Sequence, residues 1–329
     1  MASPILDYHQ QLPIGLVSIT GGLLNGFPII CGITANSTAP DSLFSDPTCL
    51  CYKFNTKNNG WQPVTSMAFS RLFASSVVMD YGLYVIGGIS QVIWILDTYV
   101  KDILYDRNIQ LLTSENENKW KNKRFEGVVF GACAVRLNST TGMLIGGGVS
   151  EKLGFFPTRQ TWYFNSITDE WRQGPSLLQP RMASACGMMS PSNQLKIVVA
   201  GGQISSDNFV RQAINLDHNV TSSVEILDIS KEDIIWVSGP KLPIALHSAD
   251  MVQREDGVYL IGGMSKNITF DSIYYLSNYS KKTPKQWILL NKTLKISRAM
   301  HKSILLPDDM VKCNVHMTSI IPNITDDLP

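Results

Sequence analysis

The side chains best suited to holding a metal or moving a proton near neutral pH are five histidines: His9, His218, His247, His301 and His316. A metal site needs three or four donors, and its sequence signature places at least two of them a few residues apart. No two of these histidines are that close, so spacing yields no metal cluster. Asp102 and Asp106, and the adjacent Asp308 and Asp309, are the paired carboxylates, and their surroundings read as solvated turns. Gly146-Gly147-Gly148 follows an apolar strand, but no helix follows it. It therefore lacks the helix N-terminus that cradles a phosphate and reads as a strand-end turn. A Gly-x-Ser-x-Gly elbow and a Gly-Lys-Ser/Thr loop are absent. The expectation is no catalytic constellation, no metal and no cofactor.

Side chains suited to binding are easier to find. Trp94, Phe155-Phe156 with Arg159, and Phe209 with Arg211 lie in stretches that interrupt a regular pattern. Aromatic rings and guanidinium groups dominate interface hot spots because they combine large contact area with several donors. The same residues could instead fold down as small satellite cores beneath their own loops.

The pattern they interrupt is a repeat, which decides the fold. Tyr84-Val85-Ile86-Gly87-Gly88 recurs as Leu144-Ile145-Gly146-Gly147-Gly148, Val199-Ala200-Gly201-Gly202 and Leu260-Ile261-Gly262-Gly263. A weaker copy, Ile29-Ile30-Cys31-Gly32-Ile33, lies upstream with its second glycine replaced. A short apolar run with β-branched members fits a buried strand, and two glycines let the backbone leave it with positive φ. Trp61, Trp120, Trp171, Trp236 and Trp287 follow the five copies in turn.

Roughly from residue 15 to 306 the chain resembles the kelch repeat: an apolar strand, a strand closing on Gly-Gly, a third with an aromatic, and a fourth carrying Trp. The third-strand aromatic reads as Tyr52, Tyr105, Tyr163 and Tyr275, with Leu227 in the fourth repeat. The resemblance implies an all-β, kelch-type β-propeller. Five blades are recognisable, and an incomplete sixth would have to be assembled from the tail after Arg298 and residues 1–14. It also implies that Arg71, Arg181 and Arg298, which begin repeats, pair with neighbouring blades, and that His247 and His301 are structural. Ala74-Ser75-Ser76, Gly131-Ala132, Ala183-Ser184-Ala185 and Ser248-Ala249 are the small residues an innermost strand requires near the axis. Residues 1–14 read as an irregular lead, 15–306 as the propeller and 307–329 as a tail, with a strand near Ile304–Leu306 meeting the start of the chain.

The interval from each Trp to the next Gly-Gly is nearly constant (61 to 87, 120 to 147, 171 to 201, 236 to 262), whereas that from Gly-Gly to its Trp varies. Variation is thus concentrated between the second and third strands. In kelch proteins those loops gather on one face around the channel mouth, and variable loops on a rigid scaffold commonly carry binding.

A net charge of +1 without basic blocks argues against nucleic acid and anionic membranes. No apolar run approaches the ~18 residues of a membrane-spanning helix, and the first fifteen residues do not read as a signal peptide. Asn36, Asn138, Asn219, Asn267, Asn278, Asn291 and Asn323 each open an N-glycosylation sequon. Of six cysteines, Cys31, Cys133 and Cys186 fall in apolar strands and read as small buried hydrophobes. A bridge from Cys49 or Cys51 to Cys313 would tie the ends of the ring, although sequence does not fix connectivity. The expectation is a secreted or extracellular monomer binding a protein or glycoprotein partner without catalysis. The alternatives are a kelch-fold enzyme acting on a carbohydrate, and the substrate-recognition part of a cytoplasmic ubiquitin-ligase adaptor.

Overall fold

A computed structural model describes residues 12–34, 49–95, 99–105, 108–125, 127, 129–151, 154–191, 194–204, 219–266, 268–278, 286–307 and 310. Blade 1 comprises β1 (Leu16–Leu24), β2 (Phe27–Thr34), β3 (Cys49–Asn55) and β4 (Gly60–Val64). Blade 2 comprises β5 (Ser75–Met79), β6 (Gly82–Ile86), β9 (Asn108–Leu112) and β10 (Lys121–Arg124), with a hairpin of β7 (Ile89–Ile95) and β8 (Tyr99–Tyr105) between its second and third strands. In blade 3, β11 (Cys133–Arg136), β12 (Thr141–Ile145), β15 (Thr161–Asn165) and β16 (Trp171–Gln173) form the sheet. Its insertion is the hairpin β13 (Gly148–Glu151) and β14 (Gly154–Pro157). Blade 4 is β17 (Ala185–Met189), β18 (Lys196–Ala200), β19 (Val224–Asp228) and β20 (Trp236–Ser238). Blade 5 is β21 (Asp250–Arg254), β22 (Gly257–Ile261), β25 (Ile273–Ser277) and β26 (Ile288–Leu289), with the short pair β23 (Met264–Ser265) and β24 (Ile268–Thr269). The protein is an all-β propeller, and every blade is an antiparallel meander.

The apolar second strands are buried on both faces, which is why they read as unbroken hydrophobic runs. Leu83 and Val85 pack with Leu24, Ile29 and Cys31 of blade 1, whereas Tyr84 and Ile86 pack with Leu144 and Phe164 of blade 3. The same alternation places Ile197 and Val199 against blade 3 and Val198 and Ala200 against Leu260 and Leu276 of blade 5. Each interblade layer is thus one hydrophobic core fed by two sheets.

The Gly-Gly pairs join one blade to the next. The N–H of Gly88, Gly147, Gly202 and Gly263 donates to the carbonyl of Val129, Arg181, Leu246 and Arg298 respectively, at 2.8–2.9 Å. The preceding glycines, Gly87, Gly146, Gly201 and Gly262, have φ of 62–66°, and a Cβ on any of them would fall within 2.6 Å of that same carbonyl oxygen. Gly201→Ala is therefore expected to cost about 3 kcal/mol from backbone strain and clash. Gly60→Ala, where no atom lies within 3.7 Å of the added carbon, serves as the near-neutral control in a denaturant titration. Gly32 differs: it lies inside β2 against Leu16, and the strand continues to Thr34 without a left-handed turn.

Three of the tryptophans form a second interblade tie. The indole N–H of Trp120, Trp236 and Trp287 donates to the carbonyl of Thr65, Pro175 and Pro240, at 2.8–2.9 Å, where the chain leaves the preceding blade. Trp171 instead lies 4.1 Å, centroid to centroid, from Phe125 of blade 2, and Trp61 packs on Phe54 within blade 1.

Four expectations are corrected. Tyr105, expected as a third-strand aromatic, instead ends β8 of a hairpin in which Val92–Ile95 are paired, and the third strand of blade 2 is β9. Cys31 bridges Cys51 and Cys133 bridges Cys186, so neither of the latter two nor Cys31 is a simple buried hydrophobe. Cys51 is thereby unavailable to Cys313, which lies outside the described residues. Closure runs through Met300 rather than Ile304–Leu306: the Ile19 N–H donates to the Met300 carbonyl at 3.0 Å.

Candidate functional site

Because each blade is an antiparallel meander, connections from second to third strand leave at the end where inner strands begin. That end is the loop face, and the channel opens there. Six chain segments meet around its mouth. Gly131 donates to Phe73, Ala183 to Gly131, Ser248 to Ala183 and Met300 to Ser248, backbone to backbone at 2.6–2.9 Å. Ile19 N–H to Met300 completes one junction, and the Phe73 N–H closes the last on Ser18 Oγ at 2.7 Å. All six of Ser18, Phe73, Gly131, Ala183, Ser248 and Met300 have φ between 52° and 59°. Five four-stranded blades and a sixth segment at residues 298–303 therefore share one closed ring of hydrogen bonds.

The cavity at this ring is about 120 Å³ and is lined mostly by alanines and serines of the inner strands, with the Cys133–Cys186 bridge in its wall. Its ionisable groups are Asp250, His301 and Lys302. Asp250 accepts from Lys302 Nζ at 3.3 Å and from the Ser303 N–H. Neither ring nitrogen of His301 has a hydrogen-bond partner among the described residues, and burial pulls its pKa down to about 4. The unfolded chain therefore binds more protons than the folded one between about 4 and 6.5, so stability rises with pH across that window and is lost as pH falls through it. A loss on the order of 2–3 kcal/mol follows from the size of the shift. Melting curves of the wild type and His301→Gln from pH 4 to 7 check it: the variant's profile should be flatter.

The arginines that begin repeats are structural. Arg71 is buried and donates to the Gly87 carbonyl at 3.1 Å. Arg181 is fully buried and pairs with Glu225 Oε1 at 2.6 Å, and it also donates to the Gly201 and Ser223 carbonyls. These side-chain bonds lie within their own blades, whereas the Arg181 main chain reaches blade 3 in both directions: its carbonyl accepts from the Gly147 N–H at 2.8 Å and its N–H donates to the Thr158 carbonyl at 3.1 Å. Arg298 Nε donates to the Ile296 carbonyl. His247 is buried, with Nδ1 3.0 Å from Ser248 Oγ. Gly146, Gly147 and Gly148 spend their N–H groups on the carbonyls of Gln160, Arg181 and Phe130, so the triplet is a strand-end turn. His9, His218, His316, Asp106, Asp308 and Asp309 lie outside the described residues.

Of the residues marked for binding, Trp94 lies on β7 and Phe155 and Phe156 on β14, in hairpins of neighbouring blades on the loop face. Phe156 is 42% exposed and Arg159, just beyond, is exposed. Phe209 and Arg211 lie outside the described residues. Both hairpins start beside the channel, through single bridges of Ile89 to Leu72 and Gly148 to Phe130. Sequence reading missed Glu225, whose signal was an isolated acid inside an apolar third strand. It also missed Asp250, Lys302 and the ring itself, which no local pattern marks. Among the described residues no group of His, Cys, Asp and Glu could hold a metal ion.

Sequons divide by face. Asn138, between β11 and β12, is exposed on the face opposite the loops. Asn219, before β19, and Asn291, after β26, are exposed on the loop face. Asn278 is only 5% exposed, and its Nδ2 donates to the Glu255 carbonyl at 2.9 Å. Asn36, Asn267 and Asn323 lie outside the described residues.

No family model matches the chain, and no curated protein matches it. Among solved structures it is similar to one titled "Structure of YjhT", with a TM-score of 0.62 and 15% identity over 89% of this chain and 88% of that one. At that identity the likeness supports the β-propeller fold and carries no chemistry.

Proposed function

We propose that the chain is a kelch-type propeller that serves as a non-catalytic interaction module, binding a protein or glycoprotein partner through its loop face. The observation that carries this reading is the pair of hairpins, β7–β8 and β13–β14, raised on adjacent blades beside the channel mouth. A rigid ring presenting apolar hairpins is suited to a broad protein surface. The channel cavity, at about 120 Å³, is small against the roughly 300–1,000 Å³ of sites that enclose a small molecule. Two disulfides favour an oxidising compartment, and extracellular action as a monomer is part of the reading.

The test is to probe arrays of purified extracellular proteins and of free glycans with a fluorescent tetramer of the chain. A protein hit is expected whose binding falls at least about tenfold, the scale of one hot-spot residue, in Trp94→Ala or Phe156→Ala. Tyr81→Ala, exposed in the turn between β5 and β6 on the opposite face, should leave it unchanged. Binding that follows the opposite face would sink the proposal. Turnover of a free glycan would move the assignment to a carbohydrate enzyme.

A further inference from the structure

We infer that the Cys133–Cys186 bridge is a thiol–disulfide exchange site: a small dithiol entering the channel reduces it while the propeller stays folded, and the β13–β14 hairpin beside it loosens as a result. That a looser hairpin weakens partner binding rests on the function proposed above; the exchange itself does not.

The two bridges differ in what surrounds them. Cys31 and Cys51 are 0% and 1% exposed, sealed between blades 1 and 2 with Leu24, Ile29, Leu83 and Val85. Cys133 and Cys186 line the channel cavity, and Cys133 is only partly buried. Exchange requires a thiolate to reach one sulfur, so access sets which bridge reacts. In the first step a donor thiolate bonds to Cys133 Sγ, and the Cys186 sulfur leaves as thiolate and takes a proton. The donor's second thiolate then attacks its own sulfur in the mixed bond, which forms the donor's disulfide and releases Cys133 as thiolate, protonated in turn. The cysteine pair gains two electrons and two protons, and the dithiol loses the same.

What the bridge holds is the junction of blades 3 and 4. The strands it joins, β11 and β17, belong to different sheets, and beside it the ring link runs from the Ala183 N–H to the Gly131 carbonyl at 2.6 Å. The hairpin is anchored on both sides of that junction. At its start, Gly148 and Phe130 bond to each other through both N–H groups, at 2.7 and 3.2 Å, one residue before Gly131. At its end, the Thr158 carbonyl accepts from the Arg181 N–H at 3.1 Å, two residues before Ala183. A change in the spacing of the two inner strands therefore reaches both ends of the hairpin. The layer of Ile145, Leu177, Ile197 and Val199 between the blades does not depend on the sulfurs, nor does the Gly147 N–H bond to the Arg181 carbonyl at 2.8 Å. Both keep the reduced form folded.

The experiment treats the folded protein with graded dithiothreitol, quenches with acid, and maps by mass spectrometry the thiols that then alkylate in denaturant. Cys133 and Cys186 are expected to appear together, at least about tenfold faster than Cys31 and Cys51, with the near-ultraviolet circular dichroism of the folded state retained. Under the same conditions, amide hydrogen exchange in β13 and β14 should speed by at least about tenfold, with β21 and β22 unchanged. Cys31→Ser, Cys51→Ser should keep this response. Cys133→Ser, Cys186→Ser should show the faster hairpin exchange without reductant and no further response to it. Should that variant not fold, the wild-type rates decide. Equal rates for the two bridges, or release of Cys133 and Cys186 only as the folded signal is lost, would overturn the exchange site. Hairpin amides indifferent to reduction would overturn the coupling. A reduced protein with a faster hairpin and undiminished partner binding would overturn the docking sector proposed above and leave the exchange site standing.

Discussion

Glu225→Ala is expected to destabilise the propeller by about 3–5 kcal/mol, the range for breaking a buried ion pair by removing one partner. Arg181 and Glu225 have side chains 0% and 3% exposed. The loss leaves a guanidinium in the interior, where burial already draws its pKa down and the Glu225 charge opposes that pull. It also strips the acceptor from the Leu178 and Gln179 N–H groups, bonded to the two carboxylate oxygens at 2.7 and 3.0 Å. Blade 2 shows the same device with a neutral group: the Gln110 amide oxygen, turned toward Ala68 and Phe69, accepts their N–H groups at 3.2 Å. Glu225→Gln is accordingly expected to cost less than Glu225→Ala, since it keeps the turn while weakening the charge pairing. The double variant Arg181→Met, Glu225→Leu removes the orphaned charge but not the orphaned turn, so it should recover only part of the loss. Denaturant midpoints of the four proteins under identical conditions check the order.

The second large effect concerns the Cys133–Cys186 bridge, which joins the inner strands of blades 3 and 4 across a sequence separation of 53. Closing a loop of that length in the unfolded chain is worth about 4 kcal/mol in the chain-entropy account. Cys133→Ala, Cys186→Ala is expected to lower stability by about that amount, and reductant should bring the wild type down toward the variant. The Cys31–Cys51 bridge closes a separation of only 20 between directly opposed residues of β2 and β3. Its removal should cost about 3 kcal/mol or less, because the loop is shorter and the strand ladder already holds the pair in register. Cys49 is a free buried cysteine, and burial raises its thiol pKa to about 11, so it should resist alkylation until the protein unfolds. Thermal melts with and without reductant, alongside alkylation mass spectra in the folded state, give the measurement.

Several of these features were present in the chain as plain text. The blades were, because their signals are local: an apolar run buried on both faces must be apolar at every position, and a turn that abuts a carbonyl must be glycine. Gly87-Gly88 and its copies therefore mark second strands without reference to anything distant, and Trp120, Trp236 and Trp287 mark outer strands by the same logic. The small residues of the inner strands were legible because crowding at an axis excludes side chains wherever the partner comes from. Interruptions of the repeat located the binding candidates Trp94 and Phe155-Phe156 for a related reason, since a scaffold of constant period exposes what departs from it.

What remained for the tertiary structure depended on which strands face each other. Cys133 reads as a hydrophobe until β11 and β17 lie side by side, and Cys51 reads as a candidate partner for the distant Cys313 until the register of β2 on β3 sets Cys31 opposite. A β-rich stretch such as 99–112 carries two strands of similar character, and only pairing assigns one to the hairpin and the other to the blade. The ring at the channel mouth is wholly a product of closure. Its members are Ser, Phe, Gly, Ala, Ser and Met, with no shared chemistry. What they share is a left-handed backbone and a carbonyl or hydroxyl one neighbour away, and those exist only once six segments stand around one axis.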